Sequence, residues 1–268
     1  MSRIAALQLP TLSMSEARID YYLRVLKDKN VSLALLGEYV LNNFFTELKE
    51  MPRAMINEQI SHKKTLMSEL ARKYEMTIIA PIILPKDDGF VKTCAIFGPT
   101  QTKFYEQNLL INYDHWDERG FFANSCVSVK VPIFTHKKLK FGVIFGFEAH
   151  FDLFWEQILR EKVDVVLVPS ASTFGSNERW EKLLEIRAFL NHCYILRANR
   201  IGRAKFSISN EFYGDSFIVG PSGEIDDRLR NEEGILLCDI DKERILNARK
   251  TWKFGENLAH LHDLDQIR

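Results

Sequence analysis

Apolar positions along this chain fall into short unbroken runs separated by stretches with helical spacing. The unbroken runs are RIAALQLP (3–10), VSLALLGEYV (31–40), MTIIAPIILP (76–85), FVKTCAIFGP (90–99), Phe141 to Phe145, VDVVLVPSAS (163–172), CYILRANRIG (193–202) and GILLCDID (234–241). Such runs predict strands covered on both faces. Between them, Ile19, Tyr22, Leu23 and Leu26 mark one helical face, with Ser15 and its neighbours available as a cap. Leu66, Met67, Leu70, Ala71 and Tyr74 mark a second. A third carries Phe151, Phe154, Trp155, Ile158 and Leu159, and a fourth Trp180, Leu183, Leu184, Arg187, Ala188 and Asn191. Residues 42–60 show no clear period, and a mixed polar tail closes the chain. Lys86-Asp87-Asp88-Gly89 is a hairpin signal between two strands, and Gly220-Pro221-Ser222-Gly223 turns FYGDSFIV back on itself.

The order begins βαβαββ and pairs locally later. About ten or more strands are too many for one open sheet to carry comfortably. Two packed sheets with helices outside them is the economical arrangement, an α/β fold. No internal repeat, linker or low-complexity segment divides the chain, so one domain over 1–268 is expected.

Three of the runs end in polar or small residues at their carboxyl edge: Glu38, Gly146 with Glu148, and Pro169-Ser170. Open α/β folds place ligands at that edge. A carboxylate that follows a buried strand must leave the core there or find a partner. The residues allow a shared cleft of Glu38 and Glu148, joined by Glu118 from the aromatic stretch 103–122. They equally allow each acid to cap a helix or to meet a buried arginine such as Arg187.

Composition changes this picture little. Lys+Arg and Asp+Glu balance at 36 each in 268 residues, so no net field points to nucleic acid or to an anionic membrane. No apolar run approaches the roughly 20 residues of a membrane span, and MSRIAALQLP is too interrupted for a signal peptide. The four cysteines (Cys94, Cys126, Cys193, Cys238) are unpaired in spacing and predict reduced, buried thiols in a cytoplasmic protein. His260 and His262 lack a third ligand, and His150 lacks a thiol or hydroxyl neighbour, so no metal centre or cofactor is expected.

At these residues the chain resembles the carbon–nitrogen hydrolase (nitrilase/amidase) superfamily over nearly its whole length. LALLGEYV resembles the first motif of that family, KFYEQNLLINYDHWDE the second, and GVIFGFEAHFD the nucleophile motif. The resemblance implies a four-layer αββα sandwich, a homodimer or larger homo-oligomer, and a small amine or amide as ligand. It places the general base at Glu38, the lysine at Gln107 and the cysteine at Gly146. Glu118, Phe147 and Glu148 fall at substrate-side positions. In the family a cysteine thiolate attacks a nitrile or amide carbon, glutamate moves protons and lysine stabilises negative charge. Here the base position is kept while the nucleophile and lysine positions are substituted, and thiol chemistry is expected to be negligible.

Three readings follow. The chain is a binding or regulatory pseudoenzyme, an amide hydrolase using water activated by Glu38 or Glu148, or an interaction protein with an inert cleft. A charge argument accompanies them: Glu38, Glu118 and Glu148 would converge with no lysine among them, so a bound cation, an amine or a protonated carboxyl is expected.

Overall fold

The computed structural model describes residues 2–12, 16–126, 128–173, 175–205 and 211–266. One sheet contains β1 (Ser2–Gln8), β2 (Leu33–Leu36), β3 (Thr77–Lys86), β4 (Gly89–Phe97), β5 (Thr102–Glu106) and β16 (Gly234–Ile240), in the order β16-β1-β2-β3-β4-β5. β1, β2 and β3 run parallel, while β16, β4 and β5 are antiparallel to their neighbours. Two short ribbons lie apart, β6 (Asn112–Tyr113) with β7 (Trp116–Asp117) and β12 (Ile201–Arg203) with β13 (Glu211–Tyr213). The second sheet has β8 (Ile133–His136), β9 (Leu139–Val143), β10 (Val165–Ser170), β11 (Tyr194–Asn199), β14 (Phe217–Val219) and β15 (Ile225–Arg228). Its order is β15-β14-β11-β10-β9-β8.

The period of a strand sorts alternate residues to opposite faces, and β1 shows what each face meets. Ile4 and Ala6 join a core between the sheets with Leu33, Leu35, Phe141, Val143, Leu167 and Leu196. Ala5 and Leu7 point outward, into a cluster with Ile19, Leu23 and Leu26 of α1 (Glu16–Asp28) and Met67, Leu70 and Ala71 of α3 (Arg53–Lys73). The far face of the second sheet is covered in the same way. Val166, Val168 and Ile195 pack against Phe154, Trp155 and Ile158 of α4 (Asp152–Arg160) and Leu184 and Ala188 of α5 (Asn177–Asn191). The layers therefore run helix, sheet, sheet, helix, the four-layer αββα sandwich.

Local departures have physical causes. A short helix, α2 (Phe45–Leu48), lies within 42–60, and α3 begins well before its legible stripe. Its buried positions are Ile56, Ile60, Lys63, Met67, Leu70 and Ala71, and a lysine at one of them breaks the apolar period. Phe147–His150 form a 3₁₀ turn before α4, so Phe151 caps the helix and stays exposed instead of joining its buried face. The polar tail is helical, as α6 (Lys242–Trp252) and α7 (Phe254–Gln266), with Phe254 stacked on His192. Cys126 is exposed, unlike the other three cysteines. Ser15, expected to cap α1, and the side chain of His262 lie outside the described residues.

Because Leu196 is fully buried between the sheets, Leu196→Ala is expected to lower unfolding free energy by about 2–5 kcal/mol, measured by urea denaturation.

Candidate active-site cleft

β2, β9 and β10 end at the same edge of the sandwich, where the turns that follow them are hydrogen-bonded to one another. The turn after β2 is tight. A Cβ at Gly37 would stand 3.0 Å from Arg200 N and 3.1 Å from Ser170 O. Glu38 N donates to Ser170 O at 3.2 Å, which ties this turn to the end of β10. Tyr39 has a left-handed backbone, φ 58°, so the chain reverses immediately after the glutamate. β9 leads into Gly146, whose N–H donates to Pro169 O at 2.9 Å.

A cavity of about 240 Å³ opens at this edge. Glu38, Gly146, Phe147 and Ser170 lie on its wall, with Tyr113, Trp116 and Trp180 giving it an aromatic lining and Arg179 and His150 adding polar groups. Among the described residues that line it there is no cysteine. Cys94, Cys193 and Cys238 are buried and Cys126 is exposed. Burial pushes the Cys94 thiol up, away from the thiolate, and does the same to Cys238.

Gly146 is helical in conformation (φ −49°, ψ −49°), so its backbone makes no demand for glycine. The neighbour makes that demand. A Cβ built there would lie 2.9 Å from Ser170 Cβ and 3.3 Å from Glu38 Oε1. Ser170 Oγ is within reach of Asn199 Oδ1 (3.2 Å) and Ala198 O (3.3 Å), both acceptors, so its proton is directed to β11.

The acids do not converge as the sequence suggests. Glu38 and Glu118 are brought together, but a lysine lies between them. Lys92 of β4 donates from Nζ to Glu118 Oε1 at 2.6 Å and pairs with Glu38 Oε2. Tyr39 OH also donates to Glu118, and Lys92 Nζ sits 4.7 Å from the Tyr39 ring centroid. All four side chains are buried. Burial raises Glu38 to about 7; Lys92 opposes that rise and Glu118 adds to it. Burial pulls Lys92 down, but Glu118 and Glu38 outweigh it and leave the ammonium favoured. The expectation that no lysine stands among the acids is therefore corrected. The charge argument for an external cation loses its premise, because Lys92 is that cation.

Glu148 turns the other way. Its Oε1 accepts from Asn108 N (2.7 Å), Asn108 Nδ2 (3.2 Å) and Leu109 N (3.2 Å), and its Oε2 from Phe145 N (3.1 Å). It fastens the loop after β5 to the turn after β9, and so neither joins the cluster of acids nor caps a helix or meets an arginine, the alternatives the sequence allows. Gln107 is also buried outside the cavity wall, its Nε2 donating to Leu109 O at 2.6 Å. Arg187 meets Asp152 and none of the three glutamates. Lys92 is the functional residue that the family motifs do not mark. Its signal was a lysine inside a run otherwise fit for burial, which calls for an acidic partner.

A family model for carbon–nitrogen hydrolases matches residues 3–250. The chain belongs to the carbon–nitrogen hydrolase family. Among curated relatives, it is 21% identical to the N-carbamoylputrescine amidase of Oryza sativa subsp. japonica, over 93% of this chain and 89% of that one. It is 26% identical to an omega-amidase of Xenopus laevis over 72% of each chain. Among solved structures, a carbon–nitrogen hydrolase from Helicobacter pylori G27 superposes with a TM-score of 0.83 at 18% identity, covering 100% of this chain and 98% of that one. An amidase from Nesterenkonia sp. gives 0.76 at 19% identity, covering 93% and 94%. These likenesses establish the carbon–nitrogen hydrolase sandwich.

Two outcomes follow from the geometry. Gly146→Cys is expected to cost about 1–3 kcal/mol through overpacking, and Ser170→Gly to relieve part of that cost. A double-mutant cycle read by urea denaturation measures the coupling. Glu148→Gln is expected to destabilise by about 1–3 kcal/mol, since an amide cannot accept on both sides; the same denaturation checks it.

Proposed function

We propose that this carbon–nitrogen hydrolase family member binds a small amide or amine in the cleft and does not hydrolyse it through a thiol. The observation that carries this reading is the contact at Gly146, where Ser170 fills part of the space a cysteine side chain needs. Loss of a nucleophile costs on the order of 10⁶ in rate, so the covalent route is closed. The cavity presents a carboxylate, Glu38, to a ligand, while the ammonium of Lys92 lies behind it and off the wall. An acceptor set in aromatic walls suits the N–H groups of an amide, a carbamoyl group or an amine. Relatives of this chain are named for amides of that kind, N-carbamoylputrescine amidase and omega-amidase.

Glu38 supports a second reading. A carboxyl raised to about 7 is poised to take a proton from water, and hydrolysis by water activated at Glu38 needs no thiol.

Incubation with a panel of small amides and carbamoyl amines separates the two. Binding by calorimetry without product release supports the first reading; turnover that resists iodoacetamide and is lost in Glu38→Gln supports the second. Turnover abolished by iodoacetamide at a cysteine in the cleft overturns both. For an amine ligand, affinity is expected to rise as pH passes upward through about 7 and Glu38 becomes charged. Glu38→Gln is expected to flatten that dependence, as read by calorimetry between pH 6 and 8.

A further inference from the structure

β4 and β5 pair antiparallel with Thr93 opposite Glu106. One step further along, Gln107 N donates to Lys92 O at 3.0 Å, so Lys92 and Gln107 stand opposite each other across the strands. Directly opposed residues share a face of the sheet with Cβ atoms about 5 Å apart. That separation is comparable with the reach of a lysine side chain. A lysine on either strand projects from the same face toward the same neighbourhood. Gln107 also carries a buried Oε1 that no donor among the described residues meets, so only the Nε2 half of its amide is satisfied there.

We propose that Lys92 is the positioning residue of this cleft, doing from β4 for Glu38 and Glu118 what a lysine at position 107 would do from the adjacent strand. From β4 the one ammonium reaches both carboxylates. Lys92 keeps Glu38 ionisable at the cavity wall and locks Glu118 to Tyr39 behind it. This role goes beyond the ligand proposed above and is independent of whether any substrate is hydrolysed.

The groups that act on Glu38 come from several elements. Lys92 approaches from β4, Glu118 from the segment after β7, and Glu148 from the turn after β9. Tyr39 follows it in the chain and feels Arg200. Arg179 and His150 share the cavity wall. Of these, Lys92 is the one cation in contact with its carboxylate. Removing that cation raises the folded-state value of Glu38 further above its unfolded one. The stability tied to such a group is complete below the unfolded value and is lost as pH rises through the folded one.

The test follows the Glu38 carboxyl carbon by NMR across pH 5 to 9 in the wild type, Lys92→Gln, and Lys92→Gln combined with Gln107→Lys. Lys92→Gln is expected to move the Glu38 midpoint upward, and the double variant to bring it back toward the wild type. A midpoint unmoved by Lys92→Gln, or a double variant that titrates like the single one, overturns the proposal. If Lys92→Gln unfolds near neutrality, the pH at which it unfolds becomes the readout. It is then expected to fold in acid and unfold as pH rises, with the double variant folded to higher pH. Equal unfolding pH in single and double variants overturns the proposal. Amide turnover in these proteins bears only on the function proposed above.

Discussion

Two carboxylates and one ammonium, buried together at the edge of two sheets, constrain everything around them. Glu38 comes from the turn after β2, Glu118 from the aromatic segment, and Lys92 from the hairpin strand between. Breaking a buried ion pair by removing one member costs about 3–5 kcal/mol, because a charge is left without its partner. Three separate segments are therefore held in register by one side chain. Tyr39 adds a fourth hold, since its left-handed backbone lets the phenol turn back onto Glu118.

Around this centre the fold divides its labour between the sheets. The first supplies Glu38 and Lys92 of the charged cluster, and the second supplies the wall against which a ligand would rest, Gly146 and Ser170. They meet at Gly37, where backbone from both sheets approaches so closely that an added Cβ would crowd it. Glu148 performs a different task from the other acids. With three backbone N–H groups and one side-chain amide on its oxygens, it is a clamp for two loops. Identical residue types a few ångströms apart thus have opposite uses, decided by what donates to them.

The layers were legible in the sequence because strands buried on both faces leave unbroken apolar runs, and β1, β2, β10 and β11 do so. The first half of α3 was hidden by Lys63, a polar residue at a buried position of its period. Glu38 and Gly146 were legible as features of strand ends, since polar or small residues must follow where a buried strand leaves the core. Lys92 was not, because pairing across β4 and β5 is a fact of register that linear spacing does not carry. Glu148 was misplaced for a related reason: nothing in its local sequence announces the amides of Asn108 and Leu109 that claim it.

Ser170 also sets what a side chain at position 146 must contend with. A cysteine placed there would meet the Ser170 side chain before it met any substrate. The two positions are therefore energetically coupled: a change at either is read through the other, and this stretch of cavity wall behaves as one unit rather than as two independent residues.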